Sequence, residues 1–307
     1  MSHPVYRIIT AGIISAAMAT LAACGPAPAG GLGPAPRGDT RTSAPTNGAP
    51  TAHAGQPSAS VPATPPSASS ARSISVQAWF TRAGKLFETQ RAVPATRSIG
   101  KAAITALLAG PNKAEAAAGL VSDIPGGTSL LGLNIAGGVA TVDLSRSFTN
   151  SASASLVSLR LAQVLYTLTQ FSTVTSVHWR INGQDVTTIG GVSVADPQTQ
   201  AAYANVLPAI IVASPVVGAT MTSPVTISGT ADVFEAVVSI TILDAAGREV
   251  ARTFTTATCG TGCQGSYSIT VAYTVSSAQA GTVEVFERSA KDGAPVNMQT
   301  IPVTLAP

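Results

Sequence analysis

The chain has 307 residues, of which only 10% are charged and 5% aromatic, and its formal net charge is +3. That composition excludes the dense basic, aromatic-interleaved surface of a nucleic-acid binder. Glycine (28) and proline (21) are abundant enough that one segment must be unusual, and the rest is long enough for two folded cores.

Residues 1–23 read as a signal peptide. Arg7 supplies a short positive region, and Ile8 to Ala19 form an apolar run too short for a permanent span. Leu21-Ala22-Ala23-Cys24 resembles a bacterial lipobox. The resemblance implies a diacylglycerol thioether on Cys24 as the mature N-terminus, hence lipid anchoring on the extracytoplasmic face of the cell membrane. An ordinary cleaved signal followed by an incidental cysteine is the alternative. No other apolar stretch approaches spanning length.

Residues 24–72 are almost wholly Ala, Pro, Gly, Ser and Thr, with scattered charges at Arg37, Asp39, Arg41 and Arg72. They lack the apolar surface needed to offset chain entropy and are expected to form a disordered tether. Extended at ~3.1 Å per residue, such a tether reaches on the order of 150 Å. Its Ser and Thr residues are candidates for O-glycosylation, and His53 within it reads as solvated.

A first folded domain is expected over residues 73–195. Ile74 to Phe80 alternate as a strand, and Lys85 to Val93 return as its hairpin partner across Gly84. Ser98 is placed to cap a helix with inner stripe Ile99, Ala103, Ala106 and Leu107, which Gly110-Pro111 would end. Gly137-Gly138 precede a strand from Val139 to Ser145. From Ser153 the period lengthens, with Ser153 or Ser155 placed as the N-cap: Val157, Leu161, Val164, Leu168 and Phe171 stripe one helical face, with Leu156 and Leu165 widening it. Thr173 to Ile181 return to strand period before the turn dipeptide Asn182-Gly183.

These residues carry a family resemblance. Leu107-Leu108-Ala109-Gly110-Pro111, Gly119-Leu120, Ile124-Pro125-Gly126-Gly127-Thr128, Val142-Asp143-Leu144-Ser145 with Phe148, Gln163 to Phe171 and Val174 to Val177 together resemble the spore-germination GerM domain family. The resemblance implies an α+β domain like the ring-building modules of secretion and sporulation machines. Trp79, Tyr166 and Trp179 read as core or sheet-face aromatics.

Asp196 to Asn205 read as a connection to a second domain over residues 207–307. Seven short β runs, Ile210 to Ala213, Val225 to Ser228, Val237 to Leu243, Glu249 to Thr255, Ser266 to Tyr273, Thr282 to Phe286 and Val296 to Leu305, predict an all-β immunoglobulin-like sandwich. Ser214-Pro215, Ser223-Pro224-Val225, Ser228-Gly229-Thr230-Ala231, Val233 to Ala236 and Ser289 to Gly293 resemble the immunoglobulin-like domain of bacterial spore germination proteins.

Once Cys24 is assigned to lipid, Cys259 and Cys263 remain, flanking Gly260-Thr261-Gly262. A loop disulfide is expected in an oxidising compartment. Two thiols without further ligands do not complete a zinc site, and the spacing is not that of a CxxC redox pair. No cofactor, metal or catalytic residue is expected. His178 reads as a satisfied or surface histidine, Asp143 as a carboxylate accepting backbone N–H groups in a turn, and Glu284, Glu287 and Asp292 as a solvated acidic face. Bases outnumber acids in the first domain and acids outnumber bases in the second.

The expected function is that of a non-enzymatic, lipid-anchored cell-envelope protein of the sporulation and spore germination type, acting as a protein-binding scaffold or accessory factor. Its expected partners are the cytoplasmic membrane through Cys24, and a membrane-protein ectodomain or further copies of itself. Nucleic acid is not among them. The Ala/Gly/Pro-rich composition suggests a high-GC, actinobacterial source, and relatives of that kind include an accessory to a sensor kinase. The alternative is a cell-wall protein that binds peptidoglycan or another glycan.

Overall fold

The alternation that begins at Ile74 builds strand β1 (Ser73–Arg82), which turns at Ala83 and Gly84 and returns as β2 (Lys85–Pro94) in unbroken antiparallel register. Both turn residues have positive φ, 50° and 73°, the backbone whose twist matches that of the strands it joins. The computed structural model describes residues 72–307, so the signal peptide, Cys24, the tether before Arg72 and His53 lie outside the described residues.

α1 (Ile99–Leu108) buries Gly100, Ala103, Ile104 and Leu107, one stripe at helical spacing. Ile99 and Ala106, expected on that stripe, are only half-buried, because Ile104 completes the inner face one position away. Gly100 faces β3 (Leu130–Ala136), where a Cβ would stand 3.2 Å from Leu133 Cδ2. The short α2 (Lys113–Ala117) is held by a reciprocal cap. The Asn112 side chain accepts from Glu115 N at 3.0 Å, and the Glu115 carboxylate accepts from Asn112 N at 2.8 Å.

β3 turns through Gly137 and Gly138 into β4 (Val139–Leu144). α3 (Ala154–Thr169) then carries the chain back, so that β5 (Ser176–Ile181) runs parallel to β4. Ser153 caps the helix, its Oγ accepting from Leu156 N at 3.3 Å. Val157, Leu161, Val164, Leu165 and Leu168 are buried as their spacing predicts; each such side chain contributes roughly 1.5–3 kcal/mol. Leu156 does not join them: it is 44% exposed in the first helical turn. Phe171 lies past the helix end and packs half-buried on the core.

α3 also has buried polar residues, Gln163 and Thr167, continued by the half-buried Gln170 at its C-cap. Gln163, Thr167 and Gln170 serve the unpaired edge of β1: Thr167 Oγ1 accepts from Trp79 N, Gln170 accepts from Gln77 N, and Gln163 Nε2 donates to Trp79 O at 3.0 Å. A helix thereby satisfies backbone groups that another strand would otherwise pair. β6 (Gln184–Asp185) extends the sheet to the order β3-β4-β5-β6, and β7 (Thr188–Ile189) pairs with β8 (Val192–Ser193).

The expected connection from Asp196 contains a 3-10 segment, Gln200–Val206, with Tyr203 buried. Eight strands follow: β9 (Ile210–Ser214), β10 (Thr220–Thr222), β11 (Val225–Ala231), β12 (Val237–Leu243), β13 (Glu249–Thr256), β14 (Gly265–Val271), β15 (Gln279–Arg288) and β16 (Pro295–Ala306). They form a five-stranded sheet in the order β10-β16-β15-β12-β13 and a three-stranded sheet in the order β14-β11-β9. The seven predicted runs are all strands. β10, missed in sequence, adds three residues parallel to β16. Ile227, Val238, Ile240, Ile242, Val283, Val285 and Ile301 are fully buried. The architecture is an α+β region followed by an immunoglobulin-like β-sandwich. Among the described residues no helix is long and apolar enough to cross a membrane.

Candidate functional surface

The residues singled out by chemistry do not converge. His178 Nε2 lies 3.1 Å from Asp185 Oδ1, in an exposed pair at the end of the β-sheet. Asp143 Oδ1 accepts from Gly183 N at 3.0 Å, which fixes the Asn182-Gly183 turn as a backbone-binding carboxylate should. Glu287 accepts from Phe234 N and from Asn297 Nδ2, while Asp292 caps its own turn through Ala294 N. Among the described residues no three His, Cys, Asp or Glu side chains are grouped to hold a metal ion. Trp179 is fully buried against Phe148, with ring centres 5.8 Å apart, and Trp79 lies 5.2 Å from Tyr166.

Cys259 and Cys263 face each other across their loop, Cα atoms 6.1 Å apart and sulfurs in contact. The loop is seated on the turn that leads into β12. Thr261 N donates to Val233 O at 3.1 Å and Gly262 N to Asp232 Oδ1 at 2.6 Å. Gly260 is required by this close approach, since a Cβ there would stand 2.5 Å from Ala236 N.

The polar chemistry that sequence reasoning missed lies where β2 meets the sandwich. Arg82 reaches across to donate to Thr300 O and Gln299 Oε1, both at 2.8 Å, and its guanidinium lies 4.3 Å from the Phe87 ring centre. Burial depresses its pKa. Lys85 Nζ donates to Asn205 O at 2.7 Å and Gln90 Nε2 to Ala213 O at 3.2 Å. Between these clamps Leu86, Phe87 and Glu88 pack on Ile210, Ile211 and Val212 around an almost filled void of about 10 Å³. One hydrophobic core therefore runs from α3 through β2 into the sandwich. Glu88 is 7% exposed, its Oε1 has no hydrogen-bond partner, and burial pushes its carboxyl up to about 7 against a weaker opposing hydrogen bond from Gln77. Beside the junction, an open polar cleft of about 500 Å³ runs between Lys85, Asn205, Asp232 and Gln299. It brings together no nucleophile with a base. No spacing in the sequence signals the junction, because its partners lie more than 100 residues apart.

Glu115 is the other buried carboxylate of the first region. Burial raises its pKa, but Arg91, Thr89 and Asn112 outweigh this and hold it below the ordinary range.

Residues 75–187 match a family model described as "Sporulation and spore germination", and residues 209–294 match one described as "Immunoglobulin-like domain of bacterial spore germination". No curated protein matches the chain. Among solved structures, a candidate lipoprotein from Clostridium perfringens is 23% identical, over 44% of this chain and 93% of that one, with a TM-score of 0.33. The first GerMN domain of the sporulation protein GerM from Bacillus subtilis is 22% identical, over 42% and 98%, with a TM-score of 0.35. The tandem GerMN domains of the same protein are 15% identical, over 76% and 61%, with a TM-score of 0.38. The chain thus carries a sporulation and spore germination domain over residues 75–187 and a bacterial spore germination immunoglobulin-like domain over residues 209–294.

Proposed function

We propose that the protein is a non-catalytic, lipid-anchored component of the cell envelope that binds other proteins as a scaffold or accessory factor. The observation that carries this reading is the union of two spore germination domains through one continuous core, with Arg82 and Gln90 clamping the second to the first. Such a body offers two types of surface, helix-backed sheet and sandwich, in one compact unit. Anchoring rests on the Leu21-Ala22-Ala23-Cys24 motif, and residues 24–72 would serve as the tether that raises local concentration near the membrane. Cys259 and Cys263 would form the disulfide that secures their loop against the turn before β12.

The test is copurification from detergent-solubilised membranes of cells that express the tagged full chain, beside metabolic labelling with a palmitate analogue. Label on the wild type but not on Cys24→Ala, with a membrane protein recovered in stoichiometric amount, is the expected result. Hydrolysis of purified cell wall by the protein would contradict the non-catalytic reading, and absence of label would contradict the anchor.

A further inference from the structure

The five-stranded sheet has two faces, and only one belongs to the core. Val238, Ile240 and Ile242 of β12 point inward and are fully buried. Their alternates Val237, Ser239 and Thr241 face outward. On that outer face two phenylalanines flank Ser239, for Phe254 of β13 and Phe286 of β15 both stand opposite it in register. Phe254 is 66% exposed, the most exposed large apolar side chain among the described residues. Phe286 is only 5% exposed yet lies outside the hydrophobic core, with the Arg288 guanidinium 5.4 Å from its ring centre. With Val237 and Arg252 these side chains line an open trough of about 550 Å³.

Two further observations say what the trough is suited to hold. β13 is the last strand of its sheet, so the backbone groups on its outer side pair with no strand among those described. The charge is also inverted: residues 207–307 contain seven carboxylates against four bases, yet both charged side chains lining the trough are arginines. Arg252 pairs with Glu249, whereas Arg288 makes no ion pair among the described residues and donates only to Gly293 O at 3.1 Å.

We propose that the trough docks an extended segment of a partner protein, added as a strand along β13. Side chains two apart on β13, Phe254 and Arg252, face the same way, so an added strand meets them with its own residues two apart. The segment therefore reads apolar-x-acidic: an apolar side chain beside Phe254, and a carboxylate beside Arg252, with Arg288 answering further carboxylates across the trough. A glycan is a poorer occupant, since Arg288 covers Phe286 and leaves one free ring face for stacking. A second copy of β13 is poorer too, because it brings Arg252 and Phe254 again and has no carboxylate two residues from the ring. The assignment rests on the protein-binding role proposed above and names its partner class.

The test is selection of random dodecapeptides displayed on phage against the purified full chain, followed by fluorescence anisotropy of the enriched peptides. Enrichment of the apolar-x-acidic pattern is expected, with at least tenfold weaker binding to Phe254→Ala and to Arg288→Glu. Both variants should keep the wild-type melting temperature, because both side chains lie on the outer face of the sheet. Phe254→Ser provides a second readout should Phe254→Ala misfold. Four results would overturn the proposal: no enrichment, enrichment indifferent to Phe254, binding of soluble muropeptides that Phe254→Ala abolishes, or a dimer that Phe254→Ala dissolves. Copurification of a membrane protein that survives Phe254→Ala rejects the trough while the scaffold role stands. Copurification of none, even by the wild type, rejects the role itself.

Discussion

Replacing Glu88 by glutamine should stabilise the protein, and only above a particular pH. Glu88 sits between Phe87 and the apolar strand β9, 7% exposed, with one oxygen unpaired and its carboxyl raised to about 7. In the unfolded chain the same group titrates near its ordinary value of 4.5. Below that value it is neutral in both states and costs nothing. As pH rises through 4.5 the unfolded chain releases the proton while the folded one retains it, so relative stability falls until pH reaches about 7 and is constant thereafter. At about 1.4 kcal/mol per pH unit between the two values, the full penalty is about 3 kcal/mol. Glu88→Gln keeps the volume and removes the ionisation. Urea denaturation of the two proteins from pH 4 to pH 8 should give coincident curves at pH 4, diverging to a gain of roughly 2–3 kcal/mol for the variant at pH 8. Subtracting one profile from the other removes every group the two share. A difference that does not change with pH would refute the reasoning.

Four other outcomes follow from the same geometry. Glu115→Ala leaves the largely buried Arg91 guanidinium without its partner and should cost about 3–5 kcal/mol in urea denaturation at neutral pH. Because the folded pKa of Glu115 is lowered, its contribution is present above the ordinary glutamate value and is lost as pH falls through the folded one. Gln163→Leu strips partners from Trp79 O and Asp123 N and should lower stability by about 1–3 kcal/mol by the same measurement. Arg82→Ala removes both hydrogen bonds to β16 and should make the 195–209 connection more sensitive to limited proteolysis, with secondary structure by circular dichroism unchanged. Replacing Cys259 and Cys263 together by serine opens a very short loop and should cost about 2 kcal/mol, whereas the same change at the wild-type level of stability would mean the pair is reduced.

Local rules were enough for the hairpin, for the start of α3 and for the main strands, but not for Ser98, which opens α1 without a side-chain cap bond. The alternation of β1 and β2, the Ser153 cap of α3 and the turn pairs Gly137-Gly138 and Asn182-Gly183 all appear where their residue types place them. The seven main strands of the sandwich were legible for the same reason. What escaped was the polar stripe Gln163, Thr167 and Gln170, because buried glutamine on a helix reads as an outer face until the bare edge of β1 is placed beside it. The Asn112-Glu115 capping box was present as a pattern but frames a helix too short to show a period. Leu156 shows the opposite error: apolar identity and nearly correct phase, yet outside the core by one position in the first turn. The junction could not be read at all, since Arg82 and Thr300 meet only after two separately patterned regions have folded against each other.

The central claim is that two joined spore germination domains act by binding protein. Photo-crosslinking of the full chain in its own cells, with the reactive residue placed in turn on the outer face of β13 and on the exposed side of β3, followed by mass spectrometry of the captured material, tests it most directly. Recovery of a membrane-protein ectodomain, from particular positions and not from all, is the expected result. Recovery of cell-wall glycan alone, or equal capture from every position, would contradict it.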